Sequence, residues 1–249
     1  MNCIILGRGR LSKCIEQAMG PVEEINSVRV LPSRNIGFNE IKSAVENFNP
    51  SHVIDMLDPS SDNLATFKLI FGRNLSTRKY FASQHFPFKY VYISSANVYR
   101  PSKDLIYEDS PVQKKISTDY LNLKISSEEI LQKSHTKTTI LRLPTIWHKN
   151  MVADNSNSFF DDLNYAKAKQ IRLEYRDGDD RPFSYIESFN AGKLINEYVL
   201  DDSAPGLANI TSNQWSSRGS LKNNKSYIEE NRVGLRVSSH YNTVDLKVT

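Results

Sequence analysis

The chain has 249 residues, 39% hydrophobic and 24% charged, a globular composition at a length that folds without disulfide or metal staples. Its 32 Lys and Arg against 28 Asp and Glu leave a charge of +4 with no dense basic run, which gives nucleic acid no footing. Cys3 and Cys14 build no framework, the five histidines form no HxxH or HExxH pair, and no apolar run spans a bilayer, so a metal-free, cytoplasmic protein with no membrane partner is expected.

From the N-terminus, Asn2 to Leu6 reads as a buried strand, followed by a helix from about Leu11 to Met19. Val22–Ile25 and Ser27–Leu31 each have strand character. Phe38, Ile41, Val45 and Phe48 recur at helical spacing, and that helix must stop before Pro50. His52–Leu57 is the next strand. A long helix over Asn63–Gln84 carries Leu64, Phe67, Ile70 and Phe71 on one stripe. Tyr90–Ser94 is a strand, Ile116–Gln132 a helix, and Thr138–Leu143 a β-branched strand stopped by Pro144. Strands alternating with helices predict an α/β fold, a Rossmann-type doubly wound parallel sheet. Beyond Trp147 the texture changes, with a polar stretch at Lys149–Asn157 and a Ser/Asn-rich one at Ser212–Lys225.

Between the first strand and helix stands Gly7-Arg8-Gly9-Arg10-Leu11-Ser12, a G-x-G-x-x-[GAS] turn. Such a turn lets the backbone approach a pyrophosphate at the helix N-terminus. Residues 1–146 are accordingly expected to form an NAD(P)-binding domain, and 147–249 a small irregular substrate-binding region interleaved with it. No acidic residue closes the second strand to hold a ribose 2′-hydroxyl. Arg8, Arg10, Arg29 and Arg34 lie instead where guanidinium groups could meet a 2′-phosphate, which favours NADP over NAD as cofactor.

A second constellation begins at Ser94-Ser95-Ala96-Asn97-Val98-Tyr99 and continues, 25 residues after Ser95, with Tyr120-Leu121-Asn122-Leu123-Lys124. On a helix, Tyr120 and Lys124 share a face, with Glu128 one turn on, while Ile116, Leu123 and Ile130 mark a buried face. A phenol normally titrates near 10, and a neighbouring ammonium favours its ionised form. Tyr120 can then exchange protons with a carbonyl/alcohol pair while Ser95 bonds the reacting oxygen.

Taken in order, the glycine turn, the S-S-x-x-V-Y strand end and the YxxxK resemble the short-chain dehydrogenase/reductase superfamily, in its extended nucleotide-sugar epimerase/dehydratase/reductase branch. Leu141-Arg142-Leu143-Pro144-Thr145-Ile146-Trp147 looks like the family's LRxxxxYG stretch, and Asp177-Gly178-Asp179-Asp180-Arg181-Pro182-Phe183 is similar to its DGxxxRDF segment. The resemblance implies Ser95, Tyr120 and Lys124 as the catalytic set. It places Gly7 to Ser12, Ser94, Tyr120, Lys124 and Pro144 against the cofactor, and Ser95, Asn97 and Arg181 against a nucleotide-diphosphate sugar. It also implies a possible homodimer through the long helix and the Tyr120 helix.

Several positions depart from the pattern. The turn is tighter than the usual GxxGxxG, and Arg100 stands where a Gly is expected. Ala96 and Asn97 follow Ser95 where dehydratases carry Asp-Glu, and Asn97 replaces the Cys of bifunctional epimerase–reductases, so dehydration and that form of epimerisation are disfavoured. The expected activity is NADPH-dependent reduction of a nucleotide-linked 4-keto-6-deoxy sugar. A 4-epimerase holding NAD tightly and a non-catalytic NADP(H)-sensing protein are the alternatives. His148 reads as a solvated loop residue, Asp55 and Asp58 as belonging to a turn, and Cys3 as inert core.

Overall fold

The computed structural model describes residues 1–32, 36–58, 64–100, 106–113, 119–147, 182–211 and 215–217. The elements are β1 (Asn2–Leu6), α1 (Arg10–Met19), β2 (Ser27–Leu31), α2 (Phe38–Phe48), β3 (His52–Asp55), α3 (Leu64–Ser83) and β4 (Lys89–Ser95). A 3-10 turn (Ala96–Val98) follows, then α4 (Asp119–Leu131), β5 (Thr138–Leu143), β6 (Thr145–Trp147), β7 (Pro182–Glu187), α5 (Ser188–Leu200), β8 (Leu207–Asn209) and β9 (Trp215–Ser217).

Six strands form the main sheet in the order β2-β1-β3-β4-β5-β8, every neighbouring pair parallel. Alternate strand residues feed two cores. Cys3, Ile5, Ile54, Val91, Ile93 and Leu141 pack with Ile15 and Met19 of α1 and with Ala191, Leu194 and Ile195 of α5. Ile4, Leu6, Val53, Tyr90, Tyr92 and Ile140 face the other way, against Ile41 and Val45 of α2, Phe81 of α3 and Leu131 of α4. Strands buried on both faces favour apolar side chains, as the middles of β1, β3 and β4 carry. The sheet is therefore doubly wound, as the alternating pattern predicts. The direction in which strands are added reverses between β1 and β3, the point beyond whose C-terminal strand ends such sheets form a crevice.

Some elements differ from expectation. Val22–Ile25 is not a strand. It forms local turns, with Val22 N–H donating to Met19 O at 3.0 Å and Ile25 N–H to Val22 O at 3.1 Å. The ladder position beside β1 is filled along its whole length by Ser27–Leu31, which leaves no partner for an earlier segment. The third strand ends at Asp55 rather than Leu57, because Leu57 N–H turns back to the Asp55 carboxylate at 2.8 Å. In α3 the buried face is Asn74, Thr77, Arg78, Phe81 and Ala82, whereas Phe67, Ile70 and Phe71 are half-buried and Leu69 is exposed. Ile116 lies outside the described residues.

At Pro144 the chain leaves the main sheet. A second sheet follows, with β6 parallel to β7 and β7 antiparallel to β9. Residues 188–209 then return to the first layer, α5 against α1 and β8 beside β5. The return is close: a Cβ on Gly192 would lie 2.8 Å from Cys14 O, so only glycine fits between these helices.

One ion pair fastens the second layer to the sheet. Arg78 of α3 donates to Asp55 Oδ2 at 2.7 Å, to Leu57 O at 2.6 Å and to Ser127 Oγ of α4 at 2.8 Å. Asp55 also accepts from Tyr90 Oη at 2.7 Å. Both charged side chains are wholly buried. Removing one partner of a buried pair leaves the other uncompensated, so Arg78→Leu is expected to cost about 3–5 kcal/mol in urea unfolding, and adding Asp55→Asn should recover part of that loss.

Candidate active site

The crevice has one wall made by the turn after β1. Gly7 has φ +113°, donates its N–H to Leu31 O at 3.0 Å, and would place a Cβ 2.8 Å from Met56 O. A side chain is excluded there twice over, by backbone conformation and by the approach of the β3 extension. Gly9 differs. Its backbone is extended, it caps α1, and a Cβ there would meet nothing within 4 Å. The α1 N-terminus thus opens on free space, the arrangement that binds anions. Ser12 is buried and bonds both the N–H and the carbonyl of Gly9 at 2.8 Å, fixing the turn where the family pattern carries a small residue. Leu11 is half-buried against the core beside α1.

Arg8 is exposed beside this turn and Arg10 is half-buried in its first helical position. Arg29 sits mid-strand in β2 with its guanidinium 6.0 Å from the Phe48 ring, at the far end of α2. Side chains alternate along a strand, and position 29 is set below the strand end that faces the crevice. Arg34, His148 and Arg181 lie outside the described residues.

The opposite wall comes from the end of β4 and from α4. Ser95 caps the 3-10 turn, its Oγ accepting from Asn97 N–H at 3.2 Å, and α4 packs against this turn. That bond uses an acceptor lone pair and leaves the Ser95 O–H free to donate. The Asn97 side chain is exposed beside it. Ser94 points away from Ser95 by strand alternation, is buried, and donates to Glu128 Oε1 of α4. Glu128 in turn holds Arg142 of β5 at 2.6 Å, and Arg142 lies over the Tyr99 ring at 4.5 Å. Pro144 is buried where β5 gives way to β6.

Tyr120 and Lys124 face the crevice from successive turns of α4, the Lys124 ammonium 5.5 Å from the Tyr120 ring centroid. The ammonium is buried. It donates to Ile93 O at 2.7 Å and pairs with Asp58 Oδ1 at 2.7 Å. Burial works against this charge, but Asp58 and the Tyr120 and Tyr92 phenols keep its pKa above the ordinary lysine value. Tyr120 remains 36% exposed, within reach of a ligand. Packed surroundings desolvate its phenol and push the pKa up to about 12; Lys124 opposes that rise and Asp58 adds to it. The depression of the Tyr120 pKa expected from the spacing is therefore outweighed in this structure.

Asp58 is the site residue that sequence reasoning passed over as part of a turn. Its partner lies on a helix distant in sequence, and no local pattern announces the pairing. Among the described residues, no group of three or more His, Cys, Asp or Glu is placed to hold a metal ion, and no helix is long and apolar enough to cross a membrane.

No family model matches the chain, and no curated protein matches it in sequence. Solved structures do match in shape, at identities below 20%, and they share this fold. A short-chain dehydrogenase/reductase superfamily protein of Agrobacterium tumefaciens with bound NAD superposes at TM-score 0.70 and 15% identity, over 90% of this chain and 81% of that one. The NAD complex of UDP-glucose 4-epimerase from Thermus thermophilus gives 0.69 at 14% identity, over 96% and 86%. The NADP complex of dTDP-4-dehydrorhamnose reductase from Bacillus anthracis gives 0.69 at 19% identity, over 96% and 84%.

The two glycines should separate in stability measurements. Gly7→Ala forces strain and a backbone clash, and is expected to cost about 1–3 kcal/mol or more by chemical denaturation. Gly9→Ala enters open space and should cost less than about 1 kcal/mol.

Proposed function

We propose that the protein is an NADPH-dependent ketoreductase acting on a nucleotide-linked 4-keto-6-deoxy sugar. The observation that carries this reading is the position of Tyr120 and Lys124 one turn apart on α4, which packs against the 3-10 turn that Ser95 caps. Gly7, Gly9 and the α1 N-terminus would hold the dinucleotide pyrophosphate, and the open space at Gly9 fits that group. Arg8, beside the turn, suits a 2′-phosphate, which supports NADP over NAD. The Bacillus anthracis reductase and its NADP complex lend the same reading support through the shared fold.

When bound, the reduced cofactor supplies the hydride that the ketone carbon receives. Tyr120 gives its phenolic proton to the carbonyl oxygen, so the carbon gains a hydride, the oxygen gains a proton, and the ketone becomes a secondary alcohol. The phenol recovers its proton from solvent. Ser95 donates a hydrogen bond to the same oxygen as negative charge builds there. Lys124 donates to Ile93 O and lies in ion-pair contact with Asp58, and an ammonium has three protons, so it can also donate to a nicotinamide-ribose hydroxyl. Ala96 and Asn97 offer no proton-exchanging group beside Ser95, which disfavours elimination. Arg181, by the resemblance, would meet the substrate diphosphate.

Purified protein supplied with NADPH and such a ketosugar should consume NADPH absorbance. Tyr120→Phe should lower turnover by about 10²–10⁴-fold while NADPH still binds within a few-fold, as followed by fluorescence titration. Near-normal turnover in that variant would sink the assignment.

A further inference from the structure

Lys124 carries its charge beside two phenols. Its ammonium is 5.2 Å from the Tyr92 ring centroid and 5.5 Å from that of Tyr120. An unneutralised cation so placed would draw a proton off the phenol. Asp58 changes that balance. It follows β3 directly, and its carboxylate meets the ammonium at 2.7 Å, with 36% of the Asp58 side chain exposed against 1% for Lys124. A carboxylate and an ammonium in contact present a short dipole, whose field at a neighbouring oxygen is far weaker than that of a bare charge.

We propose that Asp58 is a positioning residue that offsets the Lys124 charge and thereby extends to higher pH the range over which Tyr120 can give a proton to a carbonyl oxygen. The inference rests on the reading of Tyr120 as the general acid.

The groups facing Tyr120 single out Asp58 as the adjustable one. Lys124 comes from its own helix, Tyr92 from β4, Arg78 from α3 and Asp58 from the end of β3. Arg78 is wholly buried and bound to Asp55, Leu57 O and Ser127. Tyr92 is wholly buried, and burial raises its pKa, so it stays neutral. Among the described groups that act on Tyr120, Asp58 combines a charge with a partly exposed side chain. Its negative charge favours the protonated phenol and opposes Lys124, which favours the phenolate. Replacing the carboxylate by an amide of the same shape leaves the ammonium its bond to Ile93 O and frees its field to act on Tyr120.

The test follows the phenol itself in the cofactor-free protein. Tyrosine labelled with carbon-13 at Cζ reports each ring by NMR, and the Tyr120 resonance is identified by its loss in Tyr120→Phe. In the natural chain this resonance should stay flat to about pH 11. In Asp58→Asn, and in Asp58→Ser as a second variant, its titration should begin about one pH unit lower, while Asp58→Glu keeps the natural course. Equal titration in all four proteins would overturn the inference.

Turnover gives an independent reading: the high-pH limb of ketosugar reduction should move down in Asp58→Asn and Asp58→Ser. A uniform loss of turnover with an unmoved limb would assign Asp58 a merely structural role and overturn the inference. Absence of turnover in every protein would count against the functional reading, and the NMR titration would still decide the role of Asp58.

Discussion

The Asp55–Arg78 ion pair is the constraint on which the crevice rests. Arg78 ties the end of β3, the chain at Leu57 and Ser127 of α4 to one guanidinium, and Tyr90 of β4 closes on the same carboxylate. Three elements are thereby placed relative to one another by directional bonds, where apolar packing alone would leave them freer to slide. A buried pair of this kind adds little net stability over an apolar substitute, because desolvation offsets the attraction. Its effect here is registration. The strand ends at Asp55, the chain turns at Leu57, and Asp58 arrives beside the helix that carries Lys124.

A second polar cluster does the same on the other side of α4. Glu128 joins Ser94 of β4 to Arg142 of β5, while Arg142 reaches Glu108 O and lies over Tyr99. Tyr99 bonds Asn209 Oδ1 at 2.7 Å, carrying the linkage to β8. The α4 helix is thus pinned through Ser127 and Glu128, consecutive residues gripping different partners. Tyr120 and Lys124, on the preceding turns, inherit their position from those anchors. Residues proposed for proton transfer form the rim of a rigid polar layer, which suits preorganisation of charge for a reacting oxygen.

Much of this was legible from residue pattern. Apolar runs marked β1, β3, β4 and β5, and helical spacing marked α2 and α4, since burial on both sheet faces imposes a composition that shows in any short window. The Gly7–Ser12 turn was equally visible, because its constraints are local: a positive φ, a close Met56 carbonyl and an exposed helix end. Val22–Ile25 misled, as strand propensity says nothing of whether an edge is vacant. The depth of Arg29 along β2 was likewise not legible, because register with β1 sets it.

The sequence by itself determined the order of elements, the doubly wound α/β class and the sharing of one helical face by Tyr120 and Lys124. Each of these follows from interactions among residues a few positions apart, or from a burial demand that every residue of a strand feels. Only the tertiary structure decided which charges meet. It joined Asp58 to Lys124, Asp55 to Arg78 and Glu128 to Arg142, and by desolvating the Tyr120 phenol it reversed the expected direction of that pKa. Electrostatic environment depends on distance and burial in space, and a chain fixes neither until distant segments have packed.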